Sequence, residues 1–119
     1  MIQSRFSIEI KEGAKVDLLF ALSLFEVARQ RGMRLELGAD ATWKEEMDYF
    51  VRFFHCAAIV AWEYRQFDSP EIGEYPYTLL DMAEWATSNP KGFADLIRKG
   101  CASIAGTTTA ADGDEVKKK

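Results

Sequence analysis

Histidine occurs once and cysteine twice among the 119 residues, and that scarcity narrows the chemistry before any pattern is considered. His55 would have to act alone as general base or imidazole ligand. Its neighbour Cys56 projects about 100° away on a helix, so the two cannot form a thiolate and imidazole pair on one face. His55, Cys56 and Cys101 also lack the short paired spacing of a tetrahedral zinc site, so no metal is expected. The two cysteines lie far apart within apolar segments. They read as buried thiols in a reducing compartment rather than a disulfide framework. Phosphate-cradling GxGxxG and GxxxxGK loops are missing, as is a GxSxG nucleophile elbow, which leaves no cofactor signature and makes an enzyme the weaker class. Long apolar runs are missing too. Residues 16–25 and 53–62 carry Asp17 and His55 and are too short for roughly 30 Å of hydrocarbon, so no membrane span is expected. Met1-Ile2-Gln3-Ser4-Arg5 has no basic segment leading into an apolar run, and a cytoplasmic chain is expected. Basic residues are outnumbered, 15 Lys and Arg against 19 Asp and Glu, and the formal charge of -4 disfavours nucleic acid as a partner.

What is present is a globular composition, 48% hydrophobic and 13% aromatic, at the length of one ordinary domain. Phe6, Ile8 and Ile10 alternate with Ser7 and Glu9, the period of a half-buried strand, alone or in a hairpin. Gly13 breaks that pattern. Residues 16–31 place Leu19, Leu22 and Val27 around most of a helix that Gly32 would close. Met33, Leu35 and Leu37 alternate again, so a short strand there is expected to pair with the first. Thr42 and Glu45 form a capping box. From Trp43 to Arg65, Met47, Phe50, Val51, Phe54, Ala57, Ala58, Ala61 and Trp62 recur at three and four, describing a central helix of about six turns. Its second half is apolar nearly all round, which requires packing on several sides. Pro70, Gly73 and Pro76 make residues 67–77 a loop. Thr78 caps a short helix to Ser88, and Asn89-Pro90 is expected to cap and open a last helix from about Lys91 to Ala105, with Gly100 a weak point in it. The fold class is therefore α+β, mostly α. About four helices surround a long central one, and a small β-hairpin or sheet stands at the N-terminus. Residues 1–105 form the single domain, and residues 106–119 form a polar tail expected to stay disordered.

Paired carboxylates at Glu45 and Glu46, Asp81 and Glu84, and Glu71 and Glu74 read as a helix first turn, a solvated helix face and a loop respectively. The denser signal is aromatic. Phe67, Tyr75 and Tyr77 alternate with Asp68, Glu71 and Glu74, next to Trp85 on the following helix. Rigid aromatics at that density anchor protein interfaces. The alternative is that the loop folds back and seals the end of the central helix.

The stretch carrying Thr78, Leu79, Asp81 and Trp85, then Asn89-Pro90, then Phe93, Leu96 and Ile97, resembles the small tail assembly chaperones of long-tailed bacteriophages and prophages. The likeness covers about Phe6 to Ile104. It implies a non-enzymatic, cytoplasmic protein that binds the tape measure protein, keeps its apolar helices from aggregating and yields to tail tube subunits. An interface between copies of the chain would suit that role. The family often makes a longer frameshifted product, and Lys117-Lys118-Lys119 is a tract that slippery codons would encode. The resemblance supplies no binding residues, so Phe67, Tyr75, Tyr77 and Trp85 are the partner-binding candidates on their own chemistry. Two competing classes are a small acidic adaptor or inhibitory protein that binds a cellular partner through those aromatics, and an enzyme using the acidic loop with His55.

Overall fold

Polar and apolar alternation from Arg5 to Ile10 produces the opening strand in the computed structural model, which describes residues 4–33 and 35–108. Strand β1 (Ser4–Lys11) turns at Gly13 and pairs antiparallel with β2 (Ala14–Phe20), placing Phe6 opposite Leu18 and Ile8 opposite Val16. Gly13 takes φ +79°, a left-handed conformation that glycine adopts without a Cβ clash. Its N–H donates to the Glu9 carboxylate at 2.8 Å. On the outer face the Ser7 hydroxyl donates to Asp17 at 2.7 Å, and Arg5 pairs with the same carboxylate at 3.6 Å. The inner face buries Ile10, Val16, Leu18 and Phe20.

Four helices follow: α1 (Ser23–Gln30), α2 (Trp43–Asp68), α3 (Leu79–Ser88) and α4 (Pro90–Thr108), with a 3-10 turn at Pro70–Ile72 between α2 and α3. Helix α2 starts at the predicted capping box. The Thr42 N–H donates to Glu45 at 2.8 Å and the Glu45 N–H to the Thr42 hydroxyl at 3.2 Å. Every residue from Phe53 to Ala61 is buried, because β2, α1 and α3 pack around this half of the helix. The core is held in register by aromatic edges and faces. Phe20 stacks on Phe53 at 5.6 Å and meets Phe54 edge-on at 5.9 Å, while Phe54 meets Phe93 of α4 at 5.5 Å. Such pairs favour offset and edge geometries, which fixes their relative positions as well as burying area. None of the described helices is long and apolar enough to cross a membrane.

Several expectations are corrected. Residues 16–31 are not one helix but strand β2 followed by α1. Leu19, on the face opposite Leu18 and Phe20, is buried as well, and a strand covered on both faces leaves a continuous apolar run that mimics an enclosed helix. Met33 and residues 35–37 form no strand, Arg34 lying outside the described residues. The hairpin at Gly13 pairs β1 locally, which closes a far shorter loop than pairing with Leu35 would. Helix α2 runs to Asp68, so Phe67 stands on its last turn and not in the loop. The side-chain amide of Asn89 donates back to the Trp85 carbonyl at 2.9 Å and closes α3, while its own carbonyl accepts from the Phe93 N–H at 2.8 Å, where α4 opens. Cys101 is exposed, whereas Cys56 is buried as expected. The backbone of α4 is helical to Thr108, and residues 109–119 of the expected tail lie outside the described residues.

Candidate functional site

The aromatic loop folds back. Trp62, half-buried on α2, donates its indole N–H to the Gly73 carbonyl at 2.8 Å, and this bond draws the chain after Pro70–Ile72 against the helix. Tyr75 then sits edge-on to Trp62 at 5.8 Å, to His55 at 5.7 Å and to Tyr77 at 5.6 Å. Trp85 is only 8% exposed and meets Phe93 edge-on at 6.3 Å, in the contact between α3 and α4. Of the four candidate residues, Tyr75 and Tyr77 are therefore packed together, Trp85 belongs to the core, and Phe67 alone projects into solvent, 87% exposed.

Phe67 has company that the sequence reading missed. Val60, Tyr64 and Phe67 recur at four and three along α2, forming one stripe on its C-terminal half, and Tyr64 is 51% exposed. Together with Ser23 and Val27 of α1 and with Glu63 they line an open, mainly apolar groove of about 350 Å³. The spacing was legible; the helix end was placed at Arg65, one half-turn too early for Phe67 to join the stripe.

His55 is enclosed by the fold. It is 6% exposed, its Nδ1 has no hydrogen-bond partner among the described residues, and burial pushes its pKa down to about 4, with the Arg31 charge adding to the shift and Asp81 opposing it. Burial also raises the Tyr75 phenol, whose buried hydroxyl has no partner among the described residues. The Cys56 thiol is raised to about 11 by burial and lies 3.8 Å from the Met33 sulfur, so the thiolate needed for nucleophilic attack is scarce. Among the described residues no group of three or more His, Cys, Asp or Glu is placed to hold a metal ion.

No family model, curated protein or solved structure matches this chain.

A cleft of about 530 Å³ lies between β1 and the α3–α4 corner over Phe6, Trp85 and Leu96. Its charges are mostly engaged within the fold. Glu9 accepts from Gly13, Asp95 pairs with Arg98 and Lys99, and the Lys99 ammonium rests 5.7 Å from the Phe6 ring centroid. The arrangement at Phe67 differs in kind, presenting unengaged aromatic carbon to water, and what it offers is a place for another apolar surface.

Proposed function

We propose that this chain is a small tail assembly chaperone of the kind that residues from about Phe6 to Ile104 resemble, working in the cytoplasm of the host cell. It holds apolar helices of a tape measure protein until tail tube subunits take them over, and makes or breaks no covalent bond. The observation that carries the reading is the Val60, Tyr64 and Phe67 stripe beside Val27. Fully burying one such side chain is worth about 1.5–3 kcal/mol, so two exposed aromatics on one helix face are strong anchors for a partner helix. The net charge of -4 supports the same reading, since it favours solubility of the carrier while the groove covers a partner's apolar surface.

Co-expression with the tape measure protein of the same genome tests this. The full chain is expected to raise the soluble fraction of that protein, and Phe67→Ala and Tyr64→Ala to lower it again. Equal aggregation with and without the chain overturns the proposal. An adaptor for a host protein, acting through the same aromatics, would also leave the tape measure protein aggregated.

A further inference from the structure

Strand β1 has a second edge. Among the described residues the sheet holds only β1 and β2, and no backbone hydrogen bond joins residues 4–11 to anything outside the hairpin. In an antiparallel pair only alternate residues turn their N–H and C=O toward the partner strand, so the others present theirs on the far side. That side is the cleft of about 530 Å³ at the α3–α4 corner. Phe6, Ser7, Ile8 and Glu9 all border it, and no residue of β2 does. Successive strand residues point to opposite faces, so four in a row meet one cleft only along the strand's edge. The cleft is therefore a slot with unpaired main chain as one wall.

The other walls define what fits. Trp85 and Leu96 join the half-buried Phe6 and Ile8 as an apolar floor, and Asn89 and Gly92 stand on the helical side. Gly92 takes no left-handed conformation, and a Cβ there would meet Asn89 and Trp85 at 3.7 Å, an ordinary contact. Nothing within the fold calls for glycine at this position, and its bare backbone leaves the slot clear for close approach of another chain. Lys11 on Asp81 and Lys99 over the Phe6 ring tie β1 to α3 and α4 at the two ends of this stretch. Charge does not select the occupant, because Asp95 is paired with Arg98 and Lys99 and Glu9 accepts from Gly13. What is left to satisfy is a β-ladder.

We propose that residues 6–9 of β1 take an extended segment of another protein as a third strand over about 13 Å, with β-branched or aromatic side chains at alternate positions on the apolar floor and small polar ones between them. A bare segment is the occupant that fits. A second copy offering its own β1 would by symmetry bring its α3–α4 corner to the shared edge, against the corner already there. Residues 109–119 of this chain hold only Val116 as an apolar side chain larger than alanine, so they lack the alternation. The inference is independent of the function proposed above, since neither Tyr64 nor Phe67 borders this cleft.

The test uses the full chain and a labelled synthetic peptide of about eight residues in which valine and threonine alternate between terminal lysines. It is expected to bind saturably and to slow hydrogen exchange at alternate amides of residues 6–9. A peptide with its valines blocked together, and one N-methylated throughout the alternating segment, are each expected to bind at least about tenfold more weakly. Gly92→Tyr fills the slot from its helical wall while favouring the helix. It is expected to weaken binding by about tenfold or more with no fall in the denaturant midpoint, and Phe67→Ala to leave binding unchanged. Absence of saturable binding, equal binding of the N-methylated peptide, unaltered exchange at residues 6–9, or normal binding by a folded Gly92→Tyr overturns the proposal. Loss of binding in Phe67→Ala does so too, since the peptide then sits in the other groove. A dimer in sedimentation that protects the same amides without peptide also overturns it, the occupant then being a second copy of this chain.

Discussion

Gly100 shows how a single residue carries meaning that composition hides. In the interior of a helix glycine costs about 1 kcal/mol relative to alanine, so from sequence alone it is a defect in α4. In the structure a Cβ built at Gly100 would lie 3.0 Å from the Phe20 ring, which is fully buried and pressed by Phe53 and Phe54. The missing side chain is what lets α4 close on the hairpin. Gly100→Ala is therefore expected to destabilise the fold by about 1 kcal/mol net, the propensity gain being outweighed by an overpacking cost of about 1–3 kcal/mol. Chemical denaturation of the variant reads this directly. In a Phe20→Leu background, with the ring gone, the same substitution is expected to become neutral or stabilising; an unchanged penalty there would show that Phe20 is not the cause.

At the scale of elements, caps and periodicity were reliable where signal and packing agreed. The box expected at Thr42 forms, and the cap expected at Thr78 is a box as well, one that does more than start a helix. The Asp81 N–H donates to the Thr78 hydroxyl at 3.1 Å, the Thr78 N–H donates to the Asp81 carboxylate at 2.9 Å, and Lys11 of β1 reaches that carboxylate at 3.1 Å. These hydrogen bonds and the Lys11 ammonium hold the Asp81 carboxyl below its usual range. Thr78→Ala is expected to cost about 1 kcal/mol in denaturant unfolding and to speed hydrogen exchange at the Asp81 amide, leaving the first turn of α2 protected. What sequence could not settle was type within the apolar stretch from Val16. A strand buried on both faces and a helix buried all round present the same composition, and the choice is made by the partner, here β1 folding back across Gly13. The opposite failure occurred at Leu35, where an alternating pattern stays irregular and the described sheet ends at two strands.

For the whole molecule, the mostly helical arrangement about a long α2 was legible because capping signals and apolar spacing mark α2 and α3, whereas α1, which has no side-chain cap, was merged with β2. The candidate surface was legible only in part, since exposure is decided by tertiary packing: Trp85 and Tyr75 are as aromatic as Phe67, yet Phe93, Trp62 and His55 cover them. That same packing makes His55 a liability in acid. Buried and held at a pKa of about 4 against an ordinary 6.5, it stays neutral in the folded chain, while the unfolded chain takes up its proton as pH falls below 6.5. Stability should therefore be full at pH 7, decline between pH 6.5 and 4 by up to about 3 kcal/mol, and show no further loss from this group below 4. The carboxylates held low by their ion pairs, Asp81 among them, add their own loss only at lower pH, as they are protonated. Denaturant midpoints measured between pH 7 and pH 4.5 separate the two, since His55→Leu should abolish the slope in that interval and leave the steeper acid transition in place. A wild-type midpoint that is flat over the same interval would mean that the imidazole reaches solvent.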